Sequence, residues 1–315
     1  MLLLNNFDER PAPDLIAGIS KQSGNRNNAK LMKEPKVALV LGGGGIKPYS
    51  IIPLLKFLDS KNMKIDLVVG CSGGAIMSAL LASGYSPDEI VNNIVARLKK
   101  NLFKKDFRVL ASIAGLPFSR MDKENTFIKA APIRSFFKEL FGSRRMEDLA
   151  LKTILQATDF ETGEGVALET GNLADCVYAS SAIFPILPAL RIGERWLFDG
   201  VFSAPVPVLQ AVRYSPDIII VADFLEKLNP NPKGCFEAAL HTGKIYAKTI
   251  TSTQTCLSID LNEGEVICFK VAFNKYISMW EVDKMPAILE AGEIALNKTK
   301  GEILLAWDHY KQLNR

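Results

Sequence analysis

The chain has 315 residues, 48% of them hydrophobic and 23% charged, with a formal net charge of +4. That size and apolar content support a large buried core and exclude a disordered or fibrous chain. A basic excess this small gives no reason to expect a nucleic-acid partner. Five cysteines, with no C-x-x-C pair among them, argue against a disulfide framework and a zinc site and point to a reducing compartment.

Taken in order, Leu2-Leu3-Leu4 is interrupted at once by Asn5, Asn6, Asp8 and Glu9. That apolar run is too short for a signal peptide, and no later run is long enough to span a bilayer. The expected location is therefore the cytoplasm or the periphery of a membrane, with leaderless secretion the remaining route out of a cell. Residues 1–35 are rich in Asn, Lys, Ser, Gly and Pro without periodicity and read as a flexible N-terminal arm. From Lys36 the pattern sharpens, and residues 36–315 read as one domain.

Apolar runs predict strands at Val37 to Leu41, Ile65 to Val69, Thr153 to Ala157, Val166 to Leu168, Trp196 to Phe198, Ile218 to Ala222 and Val266 to Ala272. Helical spacing of Ile52, Leu55 and Leu58 predicts a helix after the first strand, and Ala75 to Ala82 another after the second. Further helices are expected at Ser86 to Arg97, at Phe236 to Ile250, and as two segments from Pro286 onward. Strands buried on both faces and alternating with helices predict an α/β fold with a mainly parallel central sheet.

Two glycine-rich turns stand between these elements: Gly42-Gly43-Gly44-Gly45-Ile46-Lys47 and Gly70-Cys71-Ser72-Gly73-Gly74. The second fits G-x-S-x-G, a strand-to-helix bend that lifts a serine hydroxyl out for nucleophilic attack. The first offers unhindered backbone N–H groups at a helix N-terminus, where negative charge is stabilised. It fails as a phosphate-binding P-loop because Pro48 follows Lys47, and as a dinucleotide loop because Lys47 stands where that pattern needs its third glycine. An oxyanion hole is the better account.

A nucleophilic serine needs a proton acceptor. Asp199 ends an apolar strand, and His241 and His309 are the chain's two histidines. Ser72, Asp199 and either histidine follow the Ser–Asp–His order of α/β-hydrolases. Against this, both histidines fall in helix-like segments. Asp199, followed by Gly200 at a strand end, reads either as a residue reaching a site at the C-terminal edge of the sheet or as a turn former.

The ordered set Gly43-Gly44-Gly45-Ile46-Lys47, Gly70-Cys71-Ser72-Gly73-Gly74 and Asp199-Gly200 resembles the patatin-like phospholipase family. Ala157-Thr158-Asp159, Ala179 to Pro185 and Pro207-Val208 extend the likeness over about residues 36–212. The resemblance implies a single-domain three-layer sandwich that acts as a serine acyl hydrolase on phospholipids or lysophospholipids. It also implies a Ser–Asp dyad, with Ser72 as nucleophile and Asp199 as base, an oxyanion hole of Gly43, Gly44 and Gly45, and no metal or organic cofactor. Departures from the family pattern are Pro48, Pro53, Val201 and Pro205, and they leave a catalytically weak lipid-binding relative as an alternative beside the histidine-dependent esterase. The basic segment Arg97 to Arg108, with Leu98, Leu102, Phe103 and Phe107, reads either as a solvated helix or as a peripheral membrane contact. Leu110 to Phe118 reads as a lid or pocket wall.

Overall fold

The computed structural model describes residues 34–94, 97, 104, 122–225, 228, 231–274, 277–278 and 281–313. The expected arm lies outside them apart from its last two residues. So does the basic segment apart from Arg97 and Lys104, and the whole of Leu110 to Phe118.

The first strand, β1 (Val37–Leu41), is apolar throughout because it is covered on both faces. Val37, Leu39 and Leu41 enter one core cluster, and Ala38 and Val40 enter a second on the opposite face. Each such leucine contributes about 1.5–3 kcal/mol by leaving water. The chain continues through a 3-10 turn (Lys47–Ile51) into α1 (Ile52–Ser60), then β2 (Leu67–Cys71) and α2 (Gly73–Ala82). The later elements are α3 (Ala130–Phe141), β3 (Lys152–Asp159), β4 (Gly165–Leu168), α4 (Leu173–Ser181), β5 (Leu190–Ile192) and β6 (Arg195–Asp199). They are followed by α5 (Val208–Val212), β7 (Ile218–Leu225), α6 (Gly234–Leu261), β8 (Glu265–Ala272) and α7 (Met285–Leu313).

One sheet takes in all of these strands, in the order β5-β6-β3-β2-β1-β7-β8, with β4 also paired to β3. β1, β2, β3, β7 and β8 pair in parallel, whereas β4 and β6 each run antiparallel to β3 and β5 antiparallel to β6. The larger core cluster holds residues of α1, α2, α3, α4 and α7 on one face. On the other face α5 packs in the smaller cluster and α6 packs against α5. Three layers result. From β1 the chain builds toward β3 on one side and adds β7 and β8 on the other, so β1 is the topological switch point. Open α/β sheets form their ligand crevices at the C-terminal ends of strands at such a point.

Several boundaries differ from expectation. β2 starts at Leu67 rather than Ile65, where its register with Ala38 begins, and runs on through Gly70. The helix expected at Ser86 to Arg97 opens on a Ser86–Glu89 capping box, then widens into a π-helical turn at Ile90–Ile94. The two C-terminal helices are one. Gly292 does not break α7, because a side chain there would strike the Ser50 carbonyl, so the glycine serves close packing. Among the described residues no helix is long and apolar enough to cross a membrane.

Candidate active site

The two glycine turns leave the C-terminal ends of adjacent strands, β1 and β2, and lie against each other. A Cβ on Gly73 would overlap the Gly45 carbonyl oxygen, and one on Gly74 would overlap the Leu41 carbonyl oxygen. Between β2 and α2, Ser72 is held at φ 54° and ψ −122°, a conformation that costs a non-glycine residue about 1–3 kcal/mol. Its own N–H is anchored to the Ser180 carbonyl at 3.1 Å.

Asp199 arrives from the far side. It ends β6, which runs antiparallel to β3 with Asp199 opposite Ala157. Thr158 Oγ1 donates to the Asp199 carbonyl at 2.9 Å, and the Asp199 N–H donates to the Ala182 carbonyl at 3.1 Å. So fixed, the carboxylate accepts the Ser72 Oγ hydroxyl on Oδ2 at 2.7 Å and the Val201 N–H on Oδ1 at 2.9 Å. Cys71 Sγ, fully buried, lies 3.8 Å from Oδ1 as a weak third donor. Asp199 is entirely buried, and that burial raises its pKa from 3.8 to about 7. The hydrogen bonds from Ser72, Val201 and Cys71 pull the other way. Burial and the neighbouring Asp199 charge push the Cys71 thiol well above its ordinary value, so it stays a neutral packing group.

The three predicted oxyanion glycines are not equivalent. The Gly43 N–H is already engaged, donating to the Pro205 carbonyl at 2.8 Å, because that carbonyl ties the loop down. The amides of Gly44 and Gly45 make no hydrogen bond among the described residues, and neither does that of Gly73, which directly follows the serine. Sequence reading passed over Gly73 as a donor, although its position after the nucleophile was the available signal. Gly44 and Gly45 take φ values of 151° and 61°, which favour glycine. Pro48 and Pro53 stand in the first turns of the 3-10 segment and of α1, where a missing N–H costs nothing. Lys47 is buried beside this loop, and its pKa falls to about 7. Burial is the main cause, Lys244 adds to it, and Glu281 opposes it.

Neither histidine bonds to Ser72 or Asp199. His309 packs its ring edgewise on Tyr310 in α7, and His241 lies on α6. Among the described residues no three metal-ligating side chains gather.

Lysophospholipase NTE1 of Lodderomyces elongisporus is 25% identical over 215 residues, covering 68% of this chain and 14% of that protein. An uncharacterized NTE family protein of Mycobacterium tuberculosis is 27% identical over 190 residues, covering 59% of this chain and 48% of that one. The chain thus spans about a seventh of the yeast relative and about half of the mycobacterial one. VipD from Legionella pneumophila matches over 85% of this chain and 67% of its own, at 12% identity and a TM-score of 0.38. The family model for patatin-like phospholipases matches residues 39–212, from within β1 to the end of α5. On that match the chain belongs to the patatin-like phospholipase family.

Proposed function

We propose that the protein is a serine acyl hydrolase of phospholipase A or lysophospholipase type, with Ser72 as nucleophile and Asp199 as its base. The 2.7 Å hydrogen bond from Ser72 Oγ to Asp199 Oδ2 carries this reading. In the first half-reaction Ser72 Oγ attacks the ester carbonyl carbon as its proton passes to Asp199. The resulting oxyanion is held by the amides of Gly44 and Gly45, with Gly73 as a third donor, and the Gly43 backbone braces the loop. Asp199 then returns the proton to the departing alcohol oxygen as the C–O bond breaks, leaving an acyl-serine. In the second half-reaction water gives a proton to Asp199 and attacks the acyl carbon. Collapse releases the fatty acid, and the proton returns to Ser72.

A base whose pKa lies near 7 matches the task better than a solvated carboxylate, since it takes and gives the proton at nearly equal cost. A histidine triad has no such support, because Asp199 occupies the hydrogen bond a histidine would need. The expected substrate is a phospholipid or lysophospholipid presented at a membrane surface, and no cofactor takes part in the steps above.

A fluorophosphonate probe tests the nucleophile. The wild-type chain is expected to label and release fatty acid from lysophospholipid, and Ser72→Ala to do neither. Equal labelling of both proteins would exclude Ser72. Replacing both His241 and His309 should leave probe labelling intact, whereas loss of labelling would restore the triad.

A further inference from the structure

Between Ser72 and Asp199 on one side and α5 on the other lies a set of buried polar side chains that the steps above do not use. Gln156 is one of them, and its strand, β3, has β2 on one flank and β6 on the other. In register Gln156 pairs with Cys71, the residue before Ser72, and the next residue, Ala157, stands opposite Asp199. Gln156 is thus placed between the strand that carries the serine and the strand that carries the carboxylate. Little slack surrounds it. A Cβ on Gly200 would come within 2.3 Å of its carbonyl oxygen, and one on Gly165 within 2.8 Å of its Nε2.

Burying an amide costs free energy unless its donors and acceptor find partners, and here each does. Nε2 donates to the Ala157 carbonyl at 3.0 Å and to Ser203 Oγ at 3.1 Å, while Oε1 accepts Gln210 Nε2 from α5 at 3.2 Å. The direction of the next links follows from counting hydrogens, because a hydroxyl has one to give. Thr158 Oγ1 gives its hydrogen to the Asp199 carbonyl at 2.9 Å, so in its 2.8 Å contact with Ser203 Oγ the serine donates. The other acceptors within reach of Ser203 Oγ, the Gly200 and Ala157 carbonyls, are farther off at 3.3 and 3.4 Å. A head-to-tail chain results, from Gln210 through Gln156, Ser203 and Thr158 to Asp199, in which each bond strengthens the next. The main chain of Gln156 serves the nucleophile. Its carbonyl accepts Ser180 Oγ at 2.6 Å, and Ser180 in turn accepts the Ser72 N–H on its carbonyl at 3.1 Å and on Oγ at 3.3 Å.

Resting on the acyl-hydrolase reading, we infer that Gln156 is a positioning residue for the reaction. Through Ser203 and Thr158 it fixes the backbone of Asp199, through Ser180 it fixes that of Ser72, and so it sets the distance over which the proton passes.

Turnover of p-nitrophenyl butyrate, a soluble ester, by the full chain tests this. Gln156→Met keeps the side-chain length and removes the amide. It should lower kcat about 10–100-fold, as a slight misplacement of reacting groups does, with KM within about threefold of wild type. The acid limb of kcat/KM should also move to higher pH, because the Ser72 hydrogen bond that holds the Asp199 pKa down is loosened. Cys71, the titratable side chain also bonded to this carboxylate, stays a neutral thiol and adds nothing to that limb. Ser203→Ala cuts the same chain at a half-buried position and should lower kcat about fivefold or more, with the same upward shift of the limb. The double variant should stay within about twofold of Gln156→Met alone, since linked residues are not additive. Losses that multiply, losses confined to KM, an unmoved acid limb, or wild-type kcat in both single variants would each overturn the positioning role. If Gln156→Met does not fold, the kcat and acid limb of Ser203→Ala decide the matter by themselves. A wild-type chain that neither turns over the ester nor takes up a fluorophosphonate probe overturns the hydrolase reading and this inference together. An active wild type matched by its variants overturns this inference alone.

Discussion

A carboxyl group that is fully buried holds its proton to a higher pH than one in water, and Asp199 does so from 3.8 to about 7. Two outcomes follow from the sign of that shift. In its proposed role as a base it would act only when ionised, so kcat/KM should fall as pH drops through about 7, and a profile flat down to pH 5 would contradict that role. For stability the direction is opposite. Between the unfolded value and about 7 the folded state binds more protons, so the favourable contribution present at low pH is lost as pH rises through that range. Asp199→Asn should therefore melt above wild type at pH 8, with the gap narrowing toward pH 4, while acyl release is abolished. The places of Ser72 and Asp199 at strand ends were legible in the sequence because each follows an apolar strand and precedes a glycine. The engaged Gly43 amide was not legible, since its acceptor is a carbonyl more than a hundred residues away that only folding brings near.

Between elements, the contact that matters most is the one between the two glycine turns. Gly73→Ala would push the Gly45 carbonyl away and so shift the loop that carries the proposed oxyanion amides. A kcat loss of about 10²–10³-fold is expected, the cost of one misplaced donor, with the far-ultraviolet spectrum unchanged. Measuring kcat on a soluble ester checks this, and near-wild-type turnover would mean that the loop is not the hole. The parallel strands were legible because burial on both faces forces continuous apolar runs, as in Val37 to Leu41. The antiparallel course of β6, which delivers Asp199 from the opposite direction, leaves no mark in local pattern. Helices α3 and α4 were passed over, although Phe136, Phe137, Leu140 and Phe141 in α3 sit at helical spacing and are all buried. The full length of α6 was missed because its inner face is polar, and periodicity rules look for apolar stripes.

At the scale of the whole molecule, the segment after residue 212 completes a framework that the family match alone leaves unfinished. β7 pairs directly with β1, and α7 closes over the 3-10 turn that follows the glycine loop. Gly292 fits against the Ser50 carbonyl without room for a side chain, so Gly292→Leu should destabilise the protein by about 1–3 kcal/mol, as overpacking does. Urea unfolding monitored by tryptophan emission would check it, and an unshifted midpoint would show that the helix can retreat freely. The same closure has a temporal side. A ribosome releases β1 and its glycine loop more than two hundred residues before α7, so the loop emerges long before its backing helix exists. A growing polypeptide would thus carry Ser72 without that backing until α7 has been made.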